Sequence, residues 1–80
     1  MAIIVYSRVG CVPCLATVRA LEARGLAFQI ESADHPRAQE LAAAHGYRSA
    51  PIVEADGRSW SGFRPDEIAK IAPEDGGVNI

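Results

Sequence analysis

With 80 residues the chain has room for one domain, and 49% hydrophobic against 22% charged residues is the balance of an ordinary globular fold. A formal net charge of −2 excludes the dense basic field that nucleic-acid and membrane-surface proteins use. No apolar run approaches the ~18–20 residues that a membrane-spanning helix needs.

The first predicted element is a buried strand at Ala2–Tyr6, a continuous apolar run rich in β-branched residues. Ser7–Gly10 breaks the pattern, and Cys11-Val12-Pro13-Cys14 then leads a helix running to Arg24. Val12, Leu15, Val18 and Leu21 recur as its expected apolar stripe, and Gly25 is placed to end it. Leu26–Glu31 reads as a second strand, with Phe28 and Ile30 alternating against Gln29 and Glu31. Asp34 is the expected N-cap of a second helix, with Pro36 in its first turn. Ala38, Leu41, Ala42 and His45 follow at helical spacing, which suits His45 to packing, and Gly46 closes the helix.

Pro51 precedes a short strand at Ile52-Val53, and Asp56-Gly57 is a strong hairpin signal with Arg58–Ser61 returning. Pro65 opens a last helix carrying Ile68 and Ile71 and stopped by Pro73. Residues 1–73 thus form one domain, and 74–80 are expected to be a flexible tail. The order β-α-β-α-β-β-α predicts an α/β fold, a mixed four-stranded sheet flanked by three helices.

Two cysteines separated by two residues, between a strand and a helix, are the main chemical signal. Residues three apart on a helical turn meet the Cα separation of roughly 4.4–6.8 Å that a disulfide needs. Free backbone N–H groups at a helix N-terminus stabilise an anion, so the thiol of Cys11 should titrate below its ordinary range. The surroundings agree: before Glu22 the only charged side chains are Arg8 and Arg19. Cys11 is therefore the expected nucleophile and Cys14 the resolving thiol.

Other uses of the pair fit less well. A structural disulfide closing so short a loop removes little chain entropy. A zinc site as a rule needs four ligands, and His35 and His45 lie at no tight spacing from the cysteines. No metal ligand is therefore assigned, although a cluster shared between chains, or a binding module with incidental cysteines, stays open. The N-terminus lacks the basic start, apolar core and small-residue cleavage site of a signal peptide, so a cytoplasmic location is expected. There stable structural disulfides are rare, and a close cysteine pair is more often catalytic or metal-binding.

The opening strand, the Cys-x-x-Cys, Ala50-Pro51 before a strand, and above all Trp60-Ser61-Gly62-Phe63-Arg64-Pro65-Asp66 resemble the NrdH-redoxins. These are glutaredoxin-like members of the thioredoxin superfamily with thioredoxin-like activity. The resemblance runs from about Ile3 to Ile71 and implies a thioredoxin-like fold. It implies an electron donor to class Ib ribonucleotide reductase that is recharged by thioredoxin reductase. NADPH and FAD would act only through that reductase, with no cofactor bound to the chain itself beyond a redox-active Cys11–Cys14 disulfide. A monomer is expected, with no nucleic-acid or membrane partner.

By the same resemblance Pro51 is a cis-proline facing the cysteines, and Trp60 to Arg64 form a loop beside the active site that shapes the partner surface. Val12, Pro13 and Ala50 complete the expected partner-binding set. Pro13 departs from the polar residue common at that position in the family. It removes a backbone N–H near the sulfurs, which favours a more reducing couple. The rival within the fold is a glutathione-dependent glutaredoxin, for which Arg8 and Arg48 could hold the tripeptide's charged ends.

Overall fold

The computed structural model describes residues 3–71. The expected tail at 74–80 and the Pro73 stop lie outside the described residues. The order is β1 (Ile3–Ser7), α1 (Val12–Ala23), β2 (Gln29–Ser32), α2 (Pro36–His45), β3 (Ile52–Ala55), β4 (Arg58–Ser61) and α3 (Pro65–Ala69). The four strands form one sheet in the order β2-β1-β3-β4. The first pair is parallel, and β1–β3 and β3–β4 are antiparallel. This is the mixed sheet with three helices that the sequence predicts.

Alternation along the strands sorts the apolar residues onto two faces. Ile3, Val5, Val53, Ala55 and Trp60 join Leu21, Leu26, Ile68 and Ile71 in the core under α1 and α3. Tyr6 and Ile52 join Ala38 and Leu41 under α2. At the β3–β4 turn Asp56 and Gly57 have φ of 52° and 80°, the positive pair that a type I′ hairpin requires.

The helix ends follow backbone rules. After α1 the N–H of Gly25 donates to Glu22 O and that of Leu26 to Leu21 O, at 2.9 and 3.1 Å. This pairing is a Schellman closure, with Gly25 at φ 69°. The Arg24 guanidinium reaches across to the carbonyls of Ile68 and Ile71 and ties the end of α3 to the end of α1.

Four sequence expectations are corrected. In α1 the buried side chains are Cys14, Thr17 and Leu21, while Val12 is 75% and Leu15 50% exposed. A step of three residues drifts on a helix that turns about 100° per residue, so Val12 ends up about 180° from Leu21, whereas Cys14 lies within about 20° and Thr17 about 40° of it. The second strand starts at Gln29, later than expected; its residues are all exposed, Ile30 by 55%, because it is the sheet edge and α1 leaves this end uncovered. The N-cap of α2 is His35, whose Nδ1 accepts the Arg37 N–H at 3.0 Å. The helix begins at Pro36, so the cap falls on the residue just before it, and the Asp34 N–H turns back to Ser32 Oγ. His45 is exposed and stacks on Tyr47, ring centroids 5.2 Å apart, rather than entering the core.

Candidate active site

The site forms where β1 ends and α1 begins. Gly10, at φ 77°, turns the chain so that Cys11 becomes the N-cap of α1 with extended φ/ψ of −89° and 108°. Its Sγ accepts the Cys14 N–H at 3.2 Å, the position an Asp or Ser oxygen takes in an ordinary cap. The first turn of α1 contains no acidic residue. A negative charge on Cys11 sulfur therefore meets a backbone donor, the positive end of the helix and no like charge from that turn.

Cys11 and Cys14 are joined as a disulfide, with Cα atoms 5.2 Å apart. Cys14 is only 4% exposed, whereas Cys11 is half-buried. An incoming thiolate or disulfide therefore has Cys11 sulfur within reach and Cys14 sulfur behind it. Val12 and Pro13, between them, are both exposed. Pro13, at the second helical position, has no N–H to offer the sulfurs, and its carbonyl accepts the Thr17 hydroxyl at 2.9 Å. Thr17 is fully buried.

The loop before β3 carries the next of the expected site residues, Ala50 and Pro51. Pro51 is buried and its peptide bond with Ala50 is cis. The loop is clamped from β4: Ser61 Oγ donates to Ser49 O at 2.8 Å, and the Gly62 N–H to Pro51 O at 2.8 Å. Arg8, Arg48 and Ala50 line one cavity of about 200 Å³ with Tyr47 and Ile52. A second cavity, about 460 Å³, opens beside the disulfide between α1 and β2.

The expected Trp60–Arg64 surface divides in two. Trp60 is 3% exposed and lies in the core opposite Val53, so it offers no partner surface; strand alternation turns it toward α1 and α3. Its indole N–H has no hydrogen-bond partner among the described residues. Phe63 is 40% exposed. Arg64 is also exposed and grips Asp66 through Nε–Oδ1 at 3.1 Å and Nη2–Oδ2 at 2.9 Å. Hydrogen bonding from Arg64 holds the Asp66 carboxyl down at about 2.

The remaining perturbed groups lie under α2. Hydrogen bonding from Arg37 lowers the Glu54 carboxyl below the usual range, and burial, with Glu54 next in effect, raises the Tyr6 hydroxyl. Among the described residues no three His, Cys, Asp or Glu side chains converge, and no helix is long and apolar enough to cross a membrane.

Sequence reasoning missed Thr17, the Ser61–Ser49 clamp and the opening lined by Leu15 and Ile30. The first and last were legible in principle from the helical angle, since stepping back from Leu21 by four and by seven residues picks out the true buried face. The clamp is a long-range contact with no local signal.

The glutaredoxin family model matches residues 3–60. The glutaredoxin-like protein NrdH of Escherichia coli is 47% identical over 74 residues, 91% of each chain. That of Salmonella typhimurium is 46% identical over the same share, and that of Lactococcus lactis subsp. cremoris 36% over 69 residues, 85% of this chain and 96% of its own. The solved structure of the Escherichia coli NrdH-redoxin, a glutaredoxin-like protein with a thioredoxin-like activity profile, superimposes with a TM-score of 0.80. That match has 47% identity and covers 91% of this chain and 97% of the other. A glutaredoxin from Archaeoglobus fulgidus shares the fold at 17% identity and a TM-score of 0.68.

Proposed function

Because the chain belongs to the glutaredoxin family, within its NrdH-redoxins, we propose that it is an electron donor to class Ib ribonucleotide reductase recharged by thioredoxin reductase. The observation that carries the dithiol chemistry is the asymmetry of the pair: Cys11 sulfur at the helix N-terminus and open, Cys14 sulfur buried behind it. The thioredoxin-like activity profile attached to the Escherichia coli relative supports thioredoxin reductase as the source of electrons.

The cycle starts from the reduced pair. Cys11 thiolate attacks one sulfur of the substrate disulfide, forming a mixed disulfide and releasing the other substrate sulfur as a thiolate. Cys14, having given up its proton, attacks Cys11 sulfur; the substrate's second thiolate leaves, and Cys11–Cys14 closes. Two electrons pass to the substrate, whose thiolates take up two protons. The reductase dithiol, charged from NADPH through FAD, reverses the exchange. Val12, Pro13, Ala50, Ser61, Gly62, Phe63 and Arg64 form the partner surface in this reading, and the buried Pro51 shapes the loop behind Ala50. Ser61 and Gly62 act through the clamp on the Ser49–Pro51 loop, and Trp60 supports from the core. The protein works as a cytoplasmic monomer without a bound cofactor.

A second reading has its own observation: Arg8 and Arg48 line one cavity, where the carboxylates of glutathione could be held. The test is NADPH consumption with insulin as disulfide substrate, run once with thioredoxin reductase and once with glutathione and glutathione reductase. Turnover with thioredoxin reductase alone is expected. Turnover with glutathione alone makes the protein a glutathione-dependent glutaredoxin and overturns the proposal.

A further inference from the structure

The cavity of about 460 Å³ beside the disulfide belongs to no element of the core. Its walls are both cysteines, Val12, Leu15 and Val18 of α1, and Ile30 of β2, with Arg8 at its mouth. Three of these apolar side chains are half or more exposed: Val12 75%, Leu15 50% and Ile30 55%. The opening exists because α1 directs Cys14, Thr17 and Leu21 at the sheet and α3 packs on the other side of α1, which leaves the edge strand β2 bare at its sulfur-proximal end. Surface apolar residues grouped around a reactive atom mark a contact site more often than scattered ones do.

Two features say what fits there. The groove is continuous with Cys11, so whatever lies in it during turnover is joined to, or adjacent to, the sulfur under attack. Among the described residues its one charged lining side chain is Arg8, a cation and exposed. Resting on the dithiol reading above, we propose that the α1–β2 groove is a specificity subsite for disulfide-bearing peptide segments. It takes a bulky apolar side chain next to the reacting cysteine, with a carboxylate of the same segment set against Arg8.

The experiment uses the full chain, kept reduced with dithiothreitol so that no reductase partner is needed. Three synthetic peptides carry one intrapeptide disulfide, flanked by Leu and Glu, by Leu and Lys, or by Ser and Lys. The expected order of kcat/KM is Leu-Glu, then Leu-Lys, then Ser-Lys, with the Leu-for-Ser step worth about tenfold or more, as for a lost apolar contact in a pocket. Ile30→Ser, and independently Leu15→Ser, should erase that step, and Arg8→Gln should erase the Glu-over-Lys preference. The ratio between peptides is the readout, so a loss of folded protein cancels.

Equal rates on all three peptides, or a Leu preference that survives both serine variants, overturns the subsite and leaves the dithiol chemistry standing. No reduction of any peptide overturns the dithiol reading, and the subsite falls with it. A concentration-dependent doubling of mass in sedimentation, abolished by Ile30→Ser, would give the groove to a second copy of the chain and overturn the peptide assignment.

Discussion

Thr17 is the informative place to perturb α1, because its fully buried hydroxyl donates to the carbonyl of Pro13, the residue between the cysteines. Thr17→Val keeps the shape and removes the hydrogen bond. An intramolecular hydrogen bond of this kind is worth about 0.5–1.5 kcal/mol net. The Pro13 carbonyl also receives the Thr17 backbone N–H in the helical ladder, so it is not orphaned and the cost falls at the lower end, about 0.5–1 kcal/mol. Thr17→Ser keeps the bond and deletes a buried methyl, costing about 0.8–1.5 kcal/mol in lost burial and residual cavity.

The assay is thermal melting of the oxidised and the reduced protein separately. At about 4–8 °C per kcal/mol for a domain of this size, Thr17→Val should lower the midpoint by about 2–8 °C in both states. Because the hydroxyl bonds the backbone rather than either sulfur, the two losses should match, and the potential of the couple should move by less than about 10 mV, given 30 mV per 1.4 kcal/mol. A Thr17→Val protein as stable as the parent would refute the value given to the bond. A loss confined to one redox state would show that the hydroxyl acts on the sulfurs.

Two further predictions concern sulfur roles and acid stability. Cys14→Ser should accumulate a mixed disulfide with a partner through Cys11, seen by non-reducing electrophoresis and mass spectrometry; capture by Cys11→Ser in its place would reverse the assignment. The Glu54 carboxyl is lowered by Arg37 and the Asp66 carboxyl is held at about 2 by Arg64. A carboxyl whose folded-state value lies below its unfolded one contributes stability that is full above about pH 4 and fades as acid takes the folded-state group. Stability should therefore fall between about pH 4 and pH 2, and Glu54→Gln with Asp66→Asn should flatten that limb in denaturant titrations; an unchanged slope would refute both assignments.

The element order, the hairpin and the cysteine pair were legible in the sequence because each rests on local rules: Asp56-Gly57 demands its turn, Gly25 closes α1, and Cys-x-x-Cys places its sulfurs one helical turn apart. The departures came where local patterns meet tertiary choice. The Val12-Leu15-Val18-Leu21 spacing looks amphipathic, yet a three-residue step walks around the helix. Ile30 alternates like a buried residue, but an edge strand buries only what a neighbour covers. Trp60 carried a family signature, and its role as a core residue opposite Val53 depends on which face of β4 meets α3. The Ser61–Ser49 clamp joins residues twelve apart that no periodicity connects.

One choice of rotation for α1 ties these findings together. Facing Leu21 and Thr17 to the sheet brings Cys14 onto the buried face, because the seven-residue step from Cys14 to Leu21 completes almost two turns, within about 20°. The same rotation leaves Cys11 at the cap, where its sulfur can be attacked, and turns Val12 and Leu15 outward toward β2. The core, the unequal sulfurs and the apolar groove are thus three consequences of a single register. Turning the helix by one residue, about 100°, would lift Cys14 out of the core and cover the sulfur that has to react first. An apolar groove of this origin needs no separate explanation in packing. The same rotation that buries the resolving sulfur presents a substrate's neighbouring residues with an apolar wall beside the nucleophile.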